Sequence, residues 1–297
     1  MTPEKINIAR NIKNITLEEA VKDFQKLQKI DLENTTSLAR TGLKWVDFYT
    51  YPIRLDTIGS KRISFYTFVE DWEIYRKIPC VARLYEKLRE KHPDNFFKSA
   101  KEIFQLYYGT INGFRPVVAM KIYDRFKPKN ILNICSGWSG FVVGAAAMDI
   151  PKITAIDNNS NLFKPYTDMI EELQKYSKTE ITFINQNALI LDLSNNLYDM
   201  VISSPPYYNK EIYGYLPAPY DSKHEWNESF YKPLFRGMFE LLETNGKLVI
   251  NVPQEIYDAC LVPLFGEAHE LILLPRYQRN NKYKEYIYVW VKGELSV

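Results

Sequence analysis

The sequence predicts an α/β protein: a mainly parallel sheet with helices on both faces, ending in an antiparallel hairpin and preceded by a mainly helical region. Three observations predict it. From Asn130 onward, short runs of β-branched residues alternate with helical stretches, the pattern of a doubly wound parallel sheet. The first of these runs opens into a glycine-bearing turn, Cys135-Ser-Gly-Trp-Ser-Gly140, followed by a helix. The last two, 270–274 and 285–291, are joined by too few residues for a crossover helix, so they must pair antiparallel.

In chain order, residues 1–36 read as helical, with Thr16-Leu-Glu-Glu19 forming a capping box ahead of Ala20, Val21, Phe24, Leu27 and Ile30 at helical spacing. Between 38 and 72, Arg40, Lys44, Arg54, Lys61 and Arg62 alternate with Trp45, Phe48, Tyr49, Tyr51, Phe65, Tyr66 and Phe68. Cations that neutralise phosphates beside rings that stack on bases suit a nucleic-acid surface. The spacing is uneven, however, and large rings are usually buried, so most are expected in the core. Residues 80–92 form an amphipathic helix stopped by Pro93, and another spans 95–108, before Gly109. After the Asn112-Gly113 turn, Phe114-Arg-Pro116 leads into a helix over 117–126 with Val118, Ile122 and Phe126 on one face. The expected division is a helical region, 1–112, a candidate for nucleic-acid recognition, and an α/β domain, 113–297. Within the latter, strands are expected at 130–134, 153–156, 181–184, 200–202 and 247–252. Helices are expected at 140–148, 163–176 and 231–242.

Composition excludes several classes. With 297 residues and 46% hydrophobic content there is ample material for a packed core. No apolar run approaches the roughly 18–20 residues of a membrane span, and the first residues lack a signal-peptide layout, so a cytoplasmic, soluble protein is expected. Cys80, Cys135 and Cys260 are isolated and there are three histidines, which argues against a disulfide framework or zinc site; no metal is expected. Net charge is +2, but residues 1–115 carry 20 Lys+Arg against 15 Asp+Glu, and the remainder 18 against 21. A basic front half suits a nucleic-acid partner.

The chemistry concentrates at the strand ends. Met200-Val-Ile202 reads as an interior parallel strand running into Ser204-Pro205-Pro206-Tyr207. Two successive prolines withhold two backbone donors and leave carbonyls to accept from a planar amine. Ser204 and the Pro205 carbonyl supply acceptors, and Tyr207 supplies a stacking face for a base removed from its helix. Opposite, the turn bearing Cys135, Ser136, Gly137 and Gly140 allows close backbone approach to a ligand, and the helix start offers free N–H groups. Asp157, at the end of the second strand and followed by Asn158, can accept from both hydroxyls of a ribose. Asn187 can bond an adenine edge, while the small Ala188 leaves room for the ring. These positions favour a bound adenosine. Cys135 is not required as a nucleophile.

On these residues the chain resembles the S-adenosylmethionine-dependent amino-methyltransferases of DNA, with the glycine motif at Cys135 to Gly140, the acidic residue at Asp157 and the (Asp/Asn/Ser)-Pro-Pro-(Tyr/Phe/Trp) motif at Ser204 to Tyr207. Phe114-Arg-Pro116, Gly137-Trp138, the run from Ser204 to Tyr213, Trp226 and Phe230 are similar to phage- and giant-virus-type members. The resemblance covers about residues 110 to 297. It implies a Rossmann-like seven-stranded methyltransferase sheet with strand seven between strands five and six. It also implies S-adenosylmethionine on Gly137, Asp157 and Asn187, with Phe114 against its methionine end, and methyl transfer to the exocyclic amine of a flipped base. Ser204 leans toward cytosine over adenine. Tyr208, Lys210, Glu211 and Tyr213 are candidates for the base pocket, and Arg276, Arg279 and Lys282 for the phosphate backbone. The family's glycine motif usually opens Asp-Pro, where this chain has Asn133-Ile134, removing a carboxylate that would face the cofactor's ammonium. That departure keeps open a catalytically retired scaffold or nucleic-acid-binding protein; the same chemistry on RNA also stays open.

Overall fold

The structure, a computed structural model, describes all residues except 110, 192, 194–196, 209–210, 213–219, 276–283 and 294–297, and at 211–212 it describes only the backbone. Its centre is a seven-stranded sheet. The strands are β1 (Asn130–Ile134), β2 (Lys152–Ile156), β3 (Glu180–Ile184), β4 (Tyr198–Ser203), β5 (Leu242–Val252), β6 (Glu270–Leu274) and β7 (Glu285–Val291). They lie in the order β3-β2-β1-β4-β5-β7-β6. The first five are mutually parallel, and β7 runs antiparallel to both β5 and β6. The final hairpin therefore inserts its second strand beside β5, and strand seven lies between strands five and six as expected. The order reverses direction between β1 and β2 on one side and β4 on the other, which opens a crevice at the strands' carboxyl ends.

Alternation along the central strands divides two cores. Ile131, Ile153, Met200, Ile202 and Val249 face one layer, while Leu132, Ile134, Val201, Leu248 and Ile250 face the other. On the first face lie α8 (Pro116–Phe126), α9 (Gly140–Ala147) and α10 (Phe163–Leu173). They share that core with Phe24 and Leu27 of α2 (Leu17–Gln28) and Trp45 of α3 (Leu43–Asp56). On the second face, two helical runs, Lys223–Trp226 to Lys232–Glu240 and Gln254–Ile256 to Val262–Phe265, each pass through a π turn. The run from Gln254 carries no clear helical period in the sequence and was not expected. A third cluster joins α1 (Pro3–Ile12), α4 (Phe65–Glu70), α5 (Trp72–Tyr75), α6 (Pro79–Lys91) and α7 (Phe96–Tyr107).

The capping box at Thr16 forms, with the Glu19 N–H on the Thr16 hydroxyl and the Thr16 N–H on the Glu19 carboxylate. The aromatic and basic stretch is mostly core: Trp45, Tyr51, Phe65, Tyr66 and Phe68 are buried. α3 and α4 turn most of these rings into the contacts between helices, and Tyr51 and Phe65 also line the cavity described below.

Helix α9 closes on α8 and the segment before it through two glycines. An added Cβ at Gly144 would stand 2.8 Å from the Ala119 Cβ, and one at Gly140 would stand 1.9 Å from the Phe114 carbonyl oxygen. That oxygen is backbone and cannot swing aside. Gly140→Ala is therefore expected to destabilise by about 3 kcal/mol or more, the upper end of overpacking costs, read as a lowered urea midpoint; an unchanged midpoint would show that the 114–116 segment moves freely.

Candidate active site

A cavity of about 1280 Å³ lies at the carboxyl ends of β1, β2 and β4, roofed by the helical region. It brings together Phe114, Cys135, Ser136, Gly137, Asp157, Asn158, Asn187, Ala188 and the whole of Ser204 to Tyr207. Two expected residues are absent from its walls. Gly140 is filled by the Phe114 backbone, so its missing side chain serves a chain crossing and not a ligand. Tyr208 is 7% exposed, packed edge-on against Trp226 and Tyr231 with its hydroxyl on Asn227, so it belongs to the core and not to a base pocket. Lys210, Tyr213, Arg276, Arg279 and Lys282 lie outside the described residues, as does the Glu211 side chain. The Glu211 backbone pairs with Gly59 in a two-residue antiparallel ladder.

The glycine turn is built from left-handed backbone at Cys135, Gly137 and Ser139 (φ 53°, 53° and 70°). Asp157 holds it: its Oδ2 accepts from the Gly137 N–H at 2.8 Å, and its Oδ1 accepts from the Asn159 N–H at 2.9 Å. Each carboxylate oxygen keeps further lone-pair capacity toward the cavity it lines. Burial raises the Asp157 pKa above the ordinary carboxyl value, outweighing the two N–H donors that lower it. The Ser136 hydroxyl is bonded to the buried Tyr166 hydroxyl at 2.7 Å, and Tyr166 also donates to the Gly137 carbonyl. Burial and the neighbouring Asp157 push the Cys135 thiol well up, so it stays protonated and is no nucleophile. Phe114 stacks on Phe141 with centroids 4.1 Å apart. The Asn187 carbonyl accepts from the Leu189 N–H, while its NH₂ donates to nothing among the described residues.

Asn133 departs from expectation in an informative way. It is fully buried, and its amide nitrogen donates to the Ile202 carbonyl on β4 at 3.1 Å. It does not line the cavity, and its buried Oδ1 has no hydrogen-bond partner among the described residues.

The Ser204 to Tyr207 turn is held by two residues that sequence reasoning missed. Asn251 of β5 donates from its NH₂ to the Tyr286 carbonyl, which fixes its amide orientation and leaves Oδ1 accepting. The Tyr207 hydroxyl lies 2.9 Å and the Ser204 hydroxyl 3.3 Å from that Oδ1, and the two hydroxyls are 3.0 Å apart. The Tyr207 hydroxyl also reaches the Asn251 main-chain carbonyl at 3.2 Å, and whichever acceptor takes its proton, Ser204 Oγ retains a lone pair. From the other side, the Tyr231 hydroxyl donates to the Pro206 carbonyl at 2.6 Å and accepts from the Tyr208 N–H at 2.7 Å. The Pro205 carbonyl has no partner among the described residues. Ser204 and Pro205 both line the cavity, and each keeps acceptor capacity. The only sequence signal for Asn251 was a polar residue ending an apolar strand.

No protein-family model matches the chain. It is 28% identical over 98 residues to the type II methyltransferase M.MjaVI of Methanocaldococcus jannaschii. The chain is similar to a methyltransferase. The match takes in 31% of this chain and spans about half (47%) of that relative's length. Among solved structures, a methyltransferase from Pyrococcus furiosus aligns with TM-score 0.41 and 19% identity over 65% of this chain and 94% of that one. An rRNA methylase from Streptococcus thermophilus aligns with TM-score 0.40 and 13% identity over 61% and 98%. The fold itself is established by the strand order and the reversed final strand.

Removing the Asn251 amide takes an acceptor from both hydroxyls of the turn and a donor from the Tyr286 carbonyl. Asn251→Ala is expected to cost about 1–3 kcal/mol, the penalty for unsatisfied buried groups, read by urea denaturation. A neutral result would show that the triangle does not constrain the turn.

Proposed function

We propose that the protein is an S-adenosylmethionine-dependent methyltransferase acting on the exocyclic amine of a DNA base, cytosine in preference to adenine. The observation that carries the reading is that Ser204, Pro205 and the anchored Tyr207 line one cavity with the glycine turn and Asp157. The local match to a type II methyltransferase supports it.

The residues present fit the cofactor. Asp157 would take the ribose hydroxyls on its remaining lone pairs, and the Asn187 amide an adenine nitrogen, with Asn158 and Ala188 beside the ring. The left-handed backbone at Cys135 and Gly137 turns the main chain at the cavity wall, with no side chain at Gly137 to block a ligand. Phe114, fixed by its stack on Phe141, would lie against the methionine end. When bound, S-adenosylmethionine supplies an electrophilic methyl carbon on a sulfonium.

The chain's own part is positioning. An exocyclic amine is a poor nucleophile while its lone pair is delocalised into the ring. Ser204 Oγ and the Pro205 carbonyl accept its two hydrogens and so fix the direction of its lone pair, an orientation effect that needs no covalent intermediate. Tyr207 offers its face to the flipped base; its hydroxyl, tied to Asn251, keeps that face still. After transfer, the surplus proton on the amine leaves by way of these acceptors to water.

Incubation with labelled cofactor and unmethylated duplex DNA should transfer label to the base. Tyr207→Ala should reduce the rate by about 5- to 150-fold, the equivalent of one base–aromatic stack, with binding of S-adenosylhomocysteine retained. Label appearing only on RNA or protein would reject the DNA assignment, and no cofactor binding would reject the enzyme.

A pH dependence follows from Asp157. Its folded pKa is raised, so its favourable contribution to stability is present below the ordinary carboxyl value and is lost as pH rises through the raised one. Ligand hydroxyls donating to the ionised carboxylate offset that loss. The rise in Tm on adding S-adenosylhomocysteine should be largest at neutral pH and shrink as the carboxyl protonates, with the pH trend absent in Asp157→Asn. A pH-independent rise in the unaltered protein would remove Asp157 from the site.

A further inference from the structure

The wall of the cavity opposite the sheet carries more positive charge than its neighbours neutralise. Asp47 is 6% exposed and is shared by two cations, Lys13 at 2.5 Å and Arg54 in a still closer contact. Lys101 of α7 lies beside them, 8% exposed, with no hydrogen bond or ion pair among the described residues. Its ammonium is held only over the rings of Phe65 and Phe104, at 5.3 and 5.2 Å. Asp47, Lys13, Arg54 and Lys101 all line the cavity that holds Ser204 to Tyr207. Lys13, Arg54 and the buried Lys101 amine thus face one carboxylate. Burial, then Arg54 and Lys13, lower the Lys101 pKa to about 7. An uncompensated buried charge is costly, and an apolar residue of similar length would fit between two rings without that cost.

We propose that Lys101, with Lys13 and Arg54, forms an anion subsite that takes a backbone phosphate of the nucleic-acid strand whose base enters the Ser204 to Tyr207 turn; this rests on the nucleic-acid reading above. The cavity's size supports a second occupant, since about 1280 Å³ exceeds the roughly 300–1,000 Å³ usual for one small ligand. The groups assigned to the cofactor lie along the sheet edge, whereas Lys101 and Arg54 stand on the helical wall. A phosphodiester entering here gains charge-assisted hydrogen bonds from groups already desolvated. It also supplies the negative charge the cluster lacks.

The test is fluorescence anisotropy with a labelled single strand of about 12 nucleotides, across a salt series, on the unaltered protein, Lys101→Met and Lys101→Arg. Lys101→Met should bind about tenfold more weakly with its salt slope reduced by about 1, as for one lost phosphate contact, while Lys101→Arg binds nearly as the unaltered protein does. S-adenosylhomocysteine affinity should not change in either variant, and the Tm of Lys101→Met should rise, because a buried surplus charge has gone. Lys101→Gln gives the same reading should the methionine variant prove insoluble. Equal affinity and slope in all variants would overturn the subsite while leaving the methyltransferase reading intact. Weakened S-adenosylhomocysteine binding would overturn it differently, by assigning the cluster to the cofactor's carboxylate. If the unaltered protein binds the cofactor but no strand of DNA or RNA, the nucleic-acid reading itself fails.

Discussion

Two consecutive prolines cannot donate to a neighbouring strand, so the turn after β4 cannot be fixed by a backbone ladder of its own. Its geometry has to be imposed from outside, and much of the second core is arranged to do so. The Tyr231 hydroxyl closes the gap between the Pro206 carbonyl and the Tyr208 N–H. Tyr231 is in turn held rigid by stacks on Trp226 and Phe235. Asn251 secures the other end and is itself fixed by β7 through the Tyr286 carbonyl. The reversed final strand is thus part of the site: without β7 beside β5, nothing would orient the amide that binds Tyr207 and Ser204.

The balance of charge divides the cavity into two unlike halves. On the sheet side a single acidic group, Asp157, sits among backbone N–H donors in a setting that disfavours its ionised form. On the helical side, cations outnumber the carboxylate they share. Each half therefore holds a charge state that the other cannot relieve, since the two lie on separate walls. Neutral Asn133 beneath the turn adds no third charge between β1 and β4; its amide donates to the Ile202 carbonyl.

The sheet was legible because alternation of short β-branched runs with helical stretches leaves few topologies, and the Ser204 to Tyr207 motif was legible because its residue types are unusual together. What stayed hidden were partners distant in sequence. Asn251, Tyr231 and Lys101 act through contacts formed only after folding, and locally each reads as an ordinary strand or helix residue. Gly140 shows a different limit: a glycine that admits a ligand and one that admits a passing carbonyl look the same in sequence. Tyr208 was misplaced because its left-handed backbone (φ 48°) turns the ring away from the neighbouring Tyr207 and into the aromatic cluster. The rings between Trp45 and Phe68 were read correctly as mostly core, since their size outweighed the basic residues interleaved with them.

The small ladder between Ile58–Gly59 and Glu211–Ile212 joins the chain just beyond the Ser204 to Tyr207 turn to the link between α3 and α4. In folding terms it closes a very long loop, whose entropy must be met before the two short strands gain anything from pairing. The ladder can form only once the sheet and the helices around it have already docked. The pairing of Ile58–Gly59 with Glu211–Ile212 is therefore among the last contacts of the fold to be made.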